Sequence, residues 1–171
     1  KCEEILNDPN PIPDEELVAM CVFDMNNLRT INNTLGHDKG DEYIRSFAIQ
    51  LRKAVPDEFF AGRDGGDEFI AVLKGLDHTG VRECLKKIRE QSAEYSRQHP
   101  EIPISYAAGY ALSSDFEGST MRELFRFADK NMYIDKNRAK MEEAAEKQRM
   151  NICILEKITE KGYQFSDCLY C

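Results

Sequence analysis

Arg63-Asp64-Gly65-Gly66-Asp67-Glu68-Phe69 is the stretch on which the reading of this chain turns. Paired glycines supply the positive φ that a tight turn requires, and short apolar runs flank them, Phe59 to Gly62 before and Glu68 to Leu73 after. The segment therefore reads as a β-hairpin that presents two consecutive acids at its turn. In extended chain the two would face opposite sides, so only one can converge with an acid elsewhere.

Upstream, Leu17 to Phe23 is almost wholly apolar, as a strand buried on both faces would be, and it ends at Asp24. Residues 26 to 35 allow one or two helical turns before Gly36. Lys39 to Ala54 then puts Tyr43, Ile44, Phe47, Ala48 and Leu51 on one helical face. Downstream come a charged amphipathic helix from Val81 to Arg97, a strand from Ile102 to Ala111, and a helix from Met121 to about Glu146. Phe47, Leu51, Phe69, Val72, Leu124 and Phe127 are expected in the core.

This order predicts an α+β fold with a central, mostly antiparallel sheet in a split βαβ arrangement, flanked by helices. The first strand would lie centrally beside the second strand of the hairpin and antiparallel to it. Asp24 and the hairpin turn then meet at one edge of the sheet, and Asp24 with Asp67 is the expected pair. Two carboxylates and a backbone carbonyl, that of Met25, are hard oxygen donors of the kind magnesium prefers, with places left for phosphates. Residues 1–16 form a helix remnant and proline-rich linker, 17–140 the domain, and 141–171 a helical extension or the start of a further domain.

Composition narrows the alternatives. The chain has 171 residues, 31 acidic against 23 basic, for a net charge of -8, a balance opposite to that of a surface neutralising many nucleic-acid phosphates. The longest apolar stretch is far short of the roughly 20 residues that span a bilayer, so direct membrane contact is not expected. A first residue other than methionine is read as the mark of a piece of something longer. The six cysteines form no dense framework and are read as reduced thiols, Cys168-x-x-Cys171 included.

Several separated motifs together resemble the GGDEF family. They are Asp24-Met25-Asn26-Asn27-Leu28-Arg29, Ile31-Asn32-Asn33, Gly36-His37, Gly40-Asp41, Gly65 to Phe69, and Ala128-Asp129 with Met132-Tyr133 and Lys136. The resemblance covers about residues 17 to 140. It implies a ferredoxin-like, nucleotidyl cyclase palm-type core and a diguanylate cyclase that joins two GTP into cyclic diguanylate and releases pyrophosphate. Two magnesium ions per site, or manganese in their place, would be held by Asp24, the Met25 carbonyl and Asp67. Catalysis would fall to Asp67, Glu68 and Arg29. Asn27 and Leu28 would hold phosphate through their N–H groups, Asn32 and Asp41 would read guanine with His37 shaping the pocket, and Lys136 and Lys140 would reach phosphates.

The partners so implied are GTP, a second copy of the chain, and sensor or regulatory domains of a longer protein, with a cytoplasmic location or the cytoplasmic part of a membrane-bound sensor. The alternative is a weak or inactive GTP-binding regulatory module. Arg29 stands where the family usually has lysine, and Lys140 where it often has arginine, and the two cations differ in geometry. An inhibitory product site is not expected, because Pro56 and Phe59 occupy the positions of its Arg-x-x-Asp.

Overall fold

The computed structural model describes residues 1–160, and side-chain burial through residue 153. Its elements are α1 (Cys2–Leu6), β1 (Val18–Met25), α2 (Leu28–Leu35), α3 (His37–Ala54), β2 (Phe60–Gly65), β3 (Glu68–Lys74), α4 (His78–Gln98), β4 (Tyr106–Leu112) and α5 (Met121–Glu160). The strands form one antiparallel sheet in the order β2-β3-β1-β4. As the apolar run implied, β1 is central and covered on both faces.

Alternation along β1 divides the core. Ala19, Cys21, Phe23 and Met25 face α3 and α4, in a cluster with Tyr43, Phe47, Leu51, Phe69, Leu85 and Ile88. Phe47 stands edge-on to Phe69, with centroids 5.0 Å apart, and to Phe23 at 5.9 Å, geometries in which each ring's positive edge meets its neighbour's negative face. Val18, Met20 and Val22 face the other way, toward Leu124, Ala128 and Met132 of α5. Asp24 continues this second face, past the last apolar residue.

Four details differ from expectation, the first being that β4 begins at Tyr106 and not at Ile102. Gly66 alone of the glycine pair has positive φ, at 51°, while Gly65 ends β2 beside a bulge between Arg63 and Gly65. Phe127 is 39% exposed and stacks on Phe116 rather than entering the core. Helix α5 runs past Glu146 to Glu160, since neither glycine nor proline interrupts that stretch.

Contacts divide the chain into two compact units, Lys1–Lys136 and Asn137–Cys171. In the second unit every described side chain from Arg138 to Cys153 is exposed. The Cys168-x-x-Cys171 pair lies outside the described residues. Among the described residues no helix is long and apolar enough to cross a membrane.

Candidate active site

The β1–β3 ladder places Asp24 directly opposite Glu68. Opposed residues in antiparallel strands present their side chains to the same face, so the acid facing Asp24 across the ladder is Glu68, not Asp67. This corrects the pairing expected from the sequence. Asp67 instead occupies the hairpin turn, and its carbonyl accepts the Met25 N–H at 3.0 Å, tying the turn to the end of β1. The bend is braced by the Arg63 guanidinium, which donates to the Gly66 carbonyl at 2.8 Å.

Charge concentrates here. The Glu68 carboxyl is pushed above its ordinary range, first by partial burial and then by Asp24, Asp67, Asp129 and Asp64. Asp24, only 14% exposed at its side chain, is held by the Lys136 ammonium of α5 at 2.6 Å. Among the described residues no three His, Cys, Asp or Glu side chains form a group able to hold a metal unaided. The donor set is nonetheless all oxygen, and magnesium commonly takes only one or two carboxylates and completes its shell with water and phosphate. The residues present fit that ion.

Beyond Met25 the chain turns sharply into α2. Asn27 has φ 64°, the one non-glycine residue in the left-handed region among the described residues, and no side chain caps the helix it precedes. The first N–H groups of such a helix lack intrahelical acceptors and suit an anion. Buried Tyr43 of α3 fixes this corner. Its hydroxyl lies 3.0 Å from the Asn26 carbonyl and 2.9 Å from that of Ser105, and accepts the Ser105 N–H at 3.0 Å. Asn26 adds a backbone bond to the Ser105 carbonyl at 2.9 Å and a side-chain bond to its hydroxyl at 3.1 Å.

The α2–α3 corner, turned by Gly36 at φ 89°, gathers the residues assigned to guanine. Asn32 lies on α2 and its amide oxygen rests on Gly40, where a Cβ would come within 1.8 Å of it. His37 opens α3 and is exposed, as is Asp41 one residue beyond Gly40. Arg29 is exposed on the first turn of α2, with Leu28 half-buried beside it, and Lys140 is exposed in the C-terminal unit. Sequence reasoning passed over Tyr43 and Ser105. The first looked like one more apolar residue of a helix face, and the second carries no motif.

Comparison with known proteins identifies the family. Residues 9–142 match the family model described as Diguanylate cyclase, GGDEF domain. The chain belongs to the GGDEF family. It is 36% identical over 121 residues to the signaling protein YkoW of Bacillus subtilis, covering 69% of this chain and 15% of that one. It is 30% identical over 139 residues to a diguanylate cyclase of Vibrio cholerae, covering 81% and 40%. The chain thus spans well under half the length of both relatives. Among solved structures, the active GGEEF domain of a Vibrio cholerae diguanylate cyclase superposes with a TM-score of 0.64 at 28% identity, over 71% of this chain and 78% of that one.

Proposed function

We propose that this domain is a diguanylate cyclase module that binds one GTP per subunit with magnesium and, facing a second copy, joins two GTP into cyclic diguanylate. The observation that carries the reading is the meeting of Asp24 and Glu68 across the β1–β3 ladder, beside Asp67, at the sheet end where α2 begins. Asp24, Asp67, Glu68 and the Met25 carbonyl would hold the metal, which when bound neutralises phosphate charge and the leaving pyrophosphate. The N–H groups of Asn27 and Leu28 take phosphate oxygens, and Asn32 and Asp41 hydrogen-bond the guanine edge. Arg29 supplies positive charge toward the transferring phosphoryl group.

Glu68 is the better candidate for general base. It stands opposite Asp24 on the same face of the sheet, whereas Asp67 lies in the turn and is tied to β1 through its carbonyl, and a base must be within reach of the proton it takes. It would take the 3′-hydroxyl proton of one GTP as that oxygen attacks the α-phosphorus of the other, and pyrophosphate would leave.

The second reading, a module that binds GTP without cyclising it, draws on the Arg29 and Lys140 exchanges. Incubation with GTP and magnesium, with pyrophosphate release as readout, separates the two. Release that disappears in Asp24→Asn supports the cyclase. Bound GTP without release supports the regulatory module, and release undiminished in Asp24→Asn refutes the site.

A further inference from the structure

We propose that Lys136 is the resident counter-ion of Asp24, a positioning residue that competes with an entering divalent cation for that carboxylate. The inference rests on the site reading above and adds a competition to it: the ammonium that would serve phosphate when nucleotide is bound serves the carboxylate when it is not.

The pair is close and sheltered, with Nζ and Oδ1 2.6 Å apart and side chains 26% and 14% exposed. A charge-assisted bond in such a place is stronger than the same pair in open solvent. The ammonium is also delivered by a fixed support. One residue earlier, the Asp135 carboxylate accepts the Ala108 N–H of β4 at 3.0 Å, and the Asn131 amide donates to the Tyr110 carbonyl at 2.9 Å. Between them Gly109 lets the α5 backbone approach so closely that a Cβ there would lie 2.1 Å from the Met132 nitrogen. Helix α5 therefore cannot carry Lys136 away, and release must come from rotation of its four-carbon stem.

The ammonium occupies Asp24 Oδ1, and a divalent cation on the same carboxylate would meet that positive charge at close range, so the two compete for Asp24. The nearby groups acting on Glu68 are all acids, Asp24, Asp67, Asp129 and Asp64, so a displaced ammonium has other carboxylates or a polyphosphate to move to. A triphosphate arriving with the metal offers it the denser negative charge. Cation and nucleotide then favour each other's binding through Lys136, and the coupling is reciprocal.

The test is Mn2+ binding followed by the electron paramagnetic resonance of the free ion, without nucleotide and then with a GTP analogue that cannot be cleaved between the α and β phosphorus atoms. Lys136→Gln is expected to bind Mn2+ alone about tenfold more tightly than wild type, and to gain less from the analogue. Lys136→Met, which keeps most of the stem, should show the same tightening, and Lys136→Arg, which keeps the charge, should not. Mn2+ affinity in folded Lys136→Gln or Lys136→Met no higher than in wild type overturns the counter-ion role while leaving the site reading intact. Mn2+ binding unchanged in Asp24→Asn overturns the site reading itself.

Discussion

At the scale of single residues, Glu68 shows how position in a ladder changes what a carboxylate can do. The folded state raises its proton affinity above the ordinary value of 4.5, so between that value and the raised one the native protein binds more protons than the unfolded chain. Stability then falls as pH rises through this window, and the penalty is complete above it. In buffer free of divalent cations, Glu68→Gln is therefore expected to melt at a higher temperature than wild type at pH 7.5, with the difference vanishing below pH 4, as a series of thermal melts would show. The same change removes the proposed base and a metal donor, and turnover of GTP should fall by about a hundredfold or more. A variant that loses activity and gains stability is the signature of a strained functional acid; losing both would mean that Glu68 is structural.

At the scale of elements, two glycines make opposite predictions. Gly109 sits where α5 lies on β4, and a Cβ would meet the Met132 nitrogen at 2.1 Å and the Ala128 carbonyl at 2.3 Å. Backbone cannot yield there without moving the helix. Gly109→Ala should cost about 3 kcal/mol in denaturant unfolding. At Gly40 the obstacle is the end of the Asn32 side chain, which can swing aside. Gly40→Ala should keep most of its stability yet bind guanine nucleotide about tenfold more weakly, a loss comparable to that of one hydrogen bond to a buried group, as calorimetric titration would measure. The elements themselves were largely legible in the sequence, because β1 and β3 are apolar runs of strand length and α3 keeps a helical period. What escaped was the path of α5, which has no stop signal where the composition changes, and the exposure of Phe127, which an apolar period alone cannot reveal. Tyr43 escaped too, since periodicity marks a buried ring without saying that its hydroxyl must find partners.

At the scale of the whole molecule, one copy of the domain cannot finish the proposed reaction, which needs the 3′-hydroxyl of one bound GTP and the α-phosphorus of another. The rate of pyrophosphate release should thus rise more steeply than linearly with protein concentration until dimers saturate; a strictly proportional rate would count against a shared site. The chain covers 15% and 40% of the two relatives compared. The exposed stretch from Arg138 to Cys153 is charged and helical, and nothing in its described contacts assigns it a role.

The sequence by itself determined that two acidic segments, one ending a buried strand and one at a glycine bend, would arrive at the same end of an antiparallel sheet. Local signals suffice for that, because strand length, apolar runs and turn chemistry are properties of neighbouring residues. Which acid faces Asp24 was decided only in three dimensions. A shift of one residue in register exchanges every side chain between faces, and the register is set by how the whole of β1 packs between β3 and β4, with the Met25 to Asp67 backbone bond locking its end. The partnership of Lys136 with Asp24 was likewise invisible beforehand, since it depends on α5 crossing β4 at Gly109, the one position of that strand without a side chain to hold it off.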